Sequence, residues 1–115
     1  MAVEPEASQA YRQAIESGGP VTVEVGGVAA DSLGAKRVGE TPWATMRAQE
    51  VESVLVADDA IRETQRRIWL QARIAAEPGG TAALAALASG AYAPQPGERV
   101  GVIMSGGNFD PGVLS

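Results

Sequence analysis

Cysteine and histidine are both missing from this 115-residue chain. Without cysteine there is no disulfide framework, no thiol nucleophile and no thiolate metal site. Without histidine there is no Ser-His-Asp chemistry, no imidazole-ligated zinc and no histidine pH switch. Lysine occurs once, as Lys36, and there are only two Trp, two Tyr and one Phe. The core is therefore aliphatic and rich in alanine. Positive charge is also short: 9 Lys plus Arg stand against 14 Asp plus Glu, a net charge of −5. That balance argues against non-specific nucleic-acid binding, which needs a basic surface. No apolar run approaches the ~20 residues that span a bilayer. The opening MAVEPEA lacks the basic and apolar regions of a signal peptide. The expectation is a cytoplasmic protein, one domain or part of one, with no membrane partner.

The remaining composition, 45% hydrophobic and 20% charged, suits a chain that folds. Met1 to Val3 lead straight into Glu4-Pro5-Glu6 and read as the tail of a strand whose earlier residues are missing. Ser8 to Glu16 carries Ala10, Tyr11, Ala14 and Ile15 at helical spacing, stopped by Ser17-Gly18-Gly19-Pro20. Val21, Val23 and Val25 alternate with Thr22 and Glu24, as in a short half-buried strand. Ala29 to Glu40 has little periodicity and reads as a surface turn. Val51 to Val56 is a strand, and Asp58 stands where an N-cap would. Beyond it, Ile61, Gln65, Ile68, Ala72 and Ala75 share one helix face. Arg62, Arg66, Arg67 and Arg73 lie off that stripe and should be solvated. Pro78 disfavours helical geometry at Glu77 and ends the helix. Thr81 to Ser89 is a small apolar helix of the kind buried against a sheet. Val100 to Met104 reads as a continuous apolar strand, ended by Ser105-Gly106-Gly107-Asn108. Strands alternating with helices, with apolar runs, predict an α/β fold around a parallel sheet. In such sheets sites form beyond the carboxyl ends of strands.

Four segments carry chemistry or an ordinary structural role. VIMSGGN (102–108) is either a strand-ending turn or a ligand loop, since glycines admit a close approach and Ser and Asn can donate to a ligand. EPGGTAAL (77–84) is either a helix corner or an anion site on free N–H groups. The carboxylate of Glu77, between two apolar helices, is turned to solvent or held at a polar site. In ADSLGAKRVGE (30–40), Lys36 needs burial or a cationic neighbour to act as a Schiff-base amine, and it reads instead as solvated. In VEPEAS (3–8), two carboxylates are either favourable first-turn acids or ligands of a hard cation.

Taken in order, VEPEAS, VGGVAADSLGAKRVGE, VLVADDAIRETQRRIWLQARIAAEPGG, AALAALASGAY and VGVIMSGGNFDP resemble the C-terminal part of serine/threonine dehydratases, or threonine ammonia-lyases. These are pyridoxal phosphate (PLP) enzymes of fold type II, the tryptophan-synthase-β-like fold. The resemblance implies a partial three-layer α/β/α parallel sheet, with residues 1–115 forming the C-terminal portion of a large domain truncated at its N-terminus. It implies that the hydroxyl of Ser105 faces the pyridine nitrogen, with Gly106, Gly107 and Asn108 shaping the turn beneath the ring and Glu77 near it. A neutral hydroxyl does not force the ring nitrogen to protonate, which suits β-elimination from L-serine or L-threonine to a 2-oxo acid and ammonia. Glu4 matches a cation-binding carboxylate of the similar serine racemases, with a backbone carbonyl near Ser8; a further acid of those relatives is replaced by Ala10. Some relatives have Gly where this chain has Ser32. The family's Schiff-base lysine motif, its glycine-rich phosphate loop and its asparagine loop for the substrate carboxylate do not occur here. No catalytic residue is therefore assigned. The expectation is a fragment inactive alone, taking an amino-acid substrate only in the complete enzyme, and marginally stable or oligomeric through an open sheet edge, with the apolar faces of Ile68 and Leu84 uncovered. The alternatives are a non-catalytic binding or regulatory module, or a piece of a serine racemase-like enzyme.

Overall fold

Two short apolar stretches, far apart in sequence, form the sheet. The computed structural model describes residues 1–114. Strand β1 (Ala2–Pro5) pairs in parallel with β2 (Ser53–Val56), with Ala2 opposite Ser53 and Pro5 opposite Val56. Pro5 lacks an N–H and sits at the strand's last position, where Glu6 takes over and donates to the Val56 carbonyl at 3.0 Å. Parallel strands need a crossover, and here it contains α1 (Ala10–Ser17), α2 (Ala30–Leu33) and α3 (Glu40–Ala48). After β2 come α4 (Asp58–Ala72) and α5 (Pro78–Ser89), and a 3₁₀ turn covers Pro111–Leu114. This is an α/β fold with a parallel sheet, as the alternation of segments predicts.

The core is small. Val56, Ile61, Ala82 and Ala85 are buried together, flanked by Val3, Val28 and Ala60. Alanine lets α5 lie close on both strands and on α4. Helix α1 buries Ala10, Tyr11 and Ala14, and Gly18 ends it in the left-handed region at φ 78°. The Tyr11 hydroxyl donates to the Val51 carbonyl at 2.7 Å, and Arg12 donates to the carbonyl and hydroxyl of Ser53. Those bonds tie α1 to the start of β2.

Several sequence expectations need correction. Val21 to Val25 is not a strand; Val23 is buried, but its N–H donates to the Lys36 carbonyl rather than to a ladder. Val100 to Met104 is not a strand either, because no neighbouring strand among the described residues supplies its ladder, and Ile103 is 84% exposed. Ala57, not Asp58, is the N-cap of α4. That helix stops at Ala72 with Arg73 in the left-handed region, so Ala72 and Ala75 are exposed, not part of its buried face. Helix α5 starts at Pro78, not Thr81, since proline's fixed φ suits a first helical position. The stretch read as a surface turn contains α2, and α3 had no counterpart in the sequence reading. Ile68 and Leu84 are half-buried; the exposed large apolar residues among those described are Met1, Leu33, Leu70, Ile74, Val100, Ile103 and Val113. The four arginines Arg62, Arg66, Arg67 and Arg73 are exposed, and so is Lys36.

Candidate functional site

The start of α5 and the turn after residue 104 meet in one place. Gln65, buried on α4, donates through Nε2 to the Ala76 carbonyl at 2.8 Å and fixes the approach to α5. The Glu77 N–H then donates to the Gly106 carbonyl at 3.0 Å. Gly106 has φ +67°, and a Cβ there would lie 1.9 Å from Glu77 Oε1, so the half-buried carboxylate lies against the glycine. Gly80 faces the preceding residue: its missing Cβ would sit 1.4 Å from the Ser105 carbonyl oxygen. Two glycines thus let two backbones touch, which no other residue type permits here.

The structure therefore brings Ser105, Gly106 and Glu77 together. Ser105 is exposed, on a backbone lodged against Gly80, and is not packed among aliphatic side chains. Gly107 lies under the Ala75 carbonyl, and Asn108 is exposed at the end of the turn. Beside this contact runs a cleft of about 430 Å³ whose walls include Ser32, Arg62, Arg66, Pro78, Phe109 and Asp110. Gly80 is the site residue whose individual role only the fold shows; the signal in the sequence is the glycine pair directly ahead of an alanine helix. The anion reading of that pair meets a competitor, because the Gly79 N–H already donates to Ser32 Oγ at 2.9 Å.

Glu4 and Ser8 stand elsewhere, at the end of β1. Glu4 Oε1 accepts the Tyr11 N–H at 2.7 Å and Oε2 accepts the Arg12 N–H at 2.9 Å. The carboxylate thus caps α1 from outside the helix, where the macrodipole favours negative charge. The Ser8 hydroxyl is buried and donates to the Gly26 carbonyl at 2.8 Å. Among the described residues no group of three acidic, histidine or cysteine side chains gathers. Each Glu4 carboxylate oxygen is thus engaged by an N–H donor, and Ala10 offers no further acid.

At the carboxyl end of β2, Asp58 Oδ2 accepts the Val28 N–H at 2.8 Å, while Oδ1 is buried without a hydrogen-bond partner. Gly27 fits against this carboxylate, with room for no Cβ. No helix among the described residues is long and apolar enough to cross a membrane.

Known proteins are similar to this chain in sequence and in shape. The chain is 37% identical over 108 residues to the phenylserine dehydratase of Ralstonia pickettii, covering 94% of the chain and 33% of that protein. It is 32% identical to the biosynthetic L-threonine dehydratase of Salmonella typhimurium, over 96% of the chain and 22% of that protein. It is 30% identical to the serine racemase of Oryza sativa subsp. indica, over 99% of the chain and 34% of that protein. Its fold superposes on the crystal structure of the T.th. threonine deaminase with a TM-score of 0.82 at 29% identity, covering 94% of this chain and 38% of that one. The chain spans about a third or less of the length of these curated relatives. The segments that build the Glu77–Gly106 and Gly80–Ser105 contacts lie within a match to the pyridoxal-phosphate dependent enzyme model over residues 1–106, and the chain belongs to that family.

Proposed function

We propose that this chain forms the part of a serine/threonine dehydratase that faces the cofactor ring, with Ser105 toward the pyridine nitrogen. The observation that carries this reading is the setting of Ser105: an exposed residue on a backbone lodged against Gly80 and next to the clasp of Glu77 on Gly106. A hydroxyl can donate to or accept from a ring nitrogen without the charge a carboxylate would impose. PLP, when bound, supplies the electron sink that eases loss of a Cα proton and of a β-hydroxyl. Ser105 and the glycines on either side of the contact would hold one edge of that group. Asn108, exposed at the end of the turn, and the Glu77 carboxyl against Gly106 would stand beside it.

The proposed reaction is deaminating β-elimination of L-serine or L-threonine. The similarity to two dehydratases supports it. The similarity to serine racemase supports a racemase-like parent as the rival. The sequence has one lysine, Lys36, exposed on the segment between α2 and α3. The chain alone is therefore proposed to be inactive. The test is 2-oxo-acid production from L-threonine and L-serine with added PLP. None is expected from the chain alone, and turnover is expected when the lysine-bearing segment of a threonine dehydratase is added as a separate polypeptide. Steady production by the chain alone overturns the proposal, and D-serine as the main product of the mixture favours the racemase reading.

A second reading, association through an open sheet edge, rests on area. The chain exposes 6910 Å², where a compact monomer of this mass exposes about 5,900 Å². The surplus, roughly 1,000 Å², is close to the ~800 Å² that one partner buries in a standard interface. On the β1 side a groove of about 340 Å³ is formed by Met1 and Val3, Ala86 and Leu87 of α5, and the 98–103 segment.

A further inference from the structure

We infer that Ser32 is a positioning residue that fixes the start of α5 and, through it, the placement of Ser105. The functional meaning rests on the reading of Ser105 given above; the structural claim does not. Helix α5 begins without a cap of its own. Glu77 at the N-cap position makes no side-chain bond to the helix, and Pro78 has no N–H to give. The first backbone donor is therefore Gly79, and Ser32 Oγ accepts from it at 2.9 Å across 47 residues of sequence. The fit is close on both sides. A Cβ on Gly79 would lie 2.6 Å from Ser32 Oγ and 2.9 Å from Leu33 Cγ.

Ser32 can hold a position only if its own base is held. Helix α2 has four residues and buries none of them. The loop before it is pinned instead. Gly26 donates to the Ala7 carbonyl at 2.9 Å and accepts from the Ser8 hydroxyl at 2.8 Å, and Val28 donates to Asp58 Oδ2 at 2.8 Å. A line of hydrogen bonds thus runs from the carboxyl ends of β1 and β2, through residues 26–28, to Ser32 and into the first turn of α5. The next residue in that turn is Gly80, which seats the Ser105 carbonyl. A displaced first turn therefore displaces Ser105. The glycine pair ahead of the alanine helix is a socket for a hydroxyl from α2, and that hydroxyl takes the donor an anion would use.

The test is NMR of the 115-residue chain without cofactor. Ser32→Ala should raise amide hydrogen exchange at Gly79 roughly tenfold, the usual scale of losing a cap, and shift the Ser105 and Gly106 amide resonances. Exchange in β2 and in the middle of α4 should stay as before. Ser32→Thr, which keeps the hydroxyl, should restore both signals. Gly79→Ala, which crowds the same contact from the other side, should reproduce the Ser32→Ala pattern. Unchanged Gly79 exchange and unchanged Gly106 resonance in Ser32→Ala would overturn the inference, and so would a uniform loss of protection across α4 and β2. A chain that passes this test but never yields 2-oxo acid in the reconstituted mixture leaves Ser32 in place and removes the dehydratase reading.

Discussion

Gly80 and Gly90 sit at the two ends of α5, and the environment of each predicts a different response to alanine. In an ordinary helix interior glycine to alanine gains up to about 1 kcal/mol. At Gly80 the added Cβ would lie 1.4 Å from the Ser105 carbonyl oxygen. Backbone must move there, and overpacking of that kind costs about 1–3 kcal/mol. Gly80→Ala is therefore expected to lower the urea midpoint, the opposite of what helix propensity alone gives. Gly90 has open space around it but φ +81°, so Gly90→Ala should cost about 1–2 kcal/mol from left-handed geometry alone. Glu4 is the third residue whose role depends on its partners. Removing its carboxylate with Glu4→Ala leaves the Tyr11 and Arg12 amides without their acceptors, and a loss of about 1–2 kcal/mol is expected in denaturant unfolding. Millimolar Mg²⁺ or Ca²⁺ should leave the melting temperature unchanged, because that carboxylate is already engaged. Ser105, Gly106 and Glu77 were legible as a group only through the family resemblance; from their motifs alone they read as two separate segments. The partners of Glu4 and Ser32 were not legible, since a side chain's bond to a backbone outside its own element, 7 and 8 residues away for Glu4 and 47 for Ser32, leaves no periodic mark.

At the scale of elements, the loop between α5 and residue 100 offers a pH test. The Tyr92 hydroxyl donates to Glu98, and the Gln95 N–H donates to the same carboxylate at 2.7 Å. The bond from Tyr92, then that from Gln95, holds the Glu98 carboxyl below its ordinary range, and the bond to Glu98 raises the Tyr92 phenol. For Glu98 the lowered value means a contribution present above the ordinary carboxylate range and lost as pH falls through the folded value. For Tyr92 the raised value means a contribution present at neutral pH and lost as pH climbs through the folded phenol value. Glu98→Gln should bring the ultraviolet titration of Tyr92 down toward ordinary tyrosine; an unmoved titration removes this contact. The elements that the sequence made legible were those with their own internal pattern. Helix α4 carries Ile61 and Gln65 one turn apart, both buried, and β2 is a run of β-branched and apolar residues. Val21–Val25 and Val100–Met104 have equally good strand patterns and are not strands, because a ladder needs a second backbone at the right distance. Helix α3 was missed because its contacts are peripheral. Trp43 packs edge-on to Tyr11 at 6.2 Å between ring centroids and lies under Arg47, and no residue of α3 is buried.

For the whole molecule the decisive quantity is surface. The chain exposes roughly 1,000 Å² more than a compact monomer of its mass, and Val100 and Ile103 are among its exposed large apolar side chains. If the groove beside β1 drives self-association, Ile103→Lys should lower the apparent mass in light scattering at high concentration while leaving the unfolding midpoint within about 0.5 kcal/mol. A parent chain that is monomeric at every concentration contradicts association through this face. The amino-acid sequence by itself determined that α1, α4 and α5 are helices, that the core is aliphatic, and the motif order that places this chain among PLP enzymes. Each of those depends on neighbours within a few residues, or on residue types in series. Tertiary structure alone decided which strands pair, that Glu4 serves an α1 terminus, and that Ser32 reaches α5. Those outcomes rest on contacts that no local pattern encodes; at the start of α5 it is the absence of two Cβ atoms, at Gly79 and Gly80, that admits the Ser32 side chain and the Ser105 carbonyl.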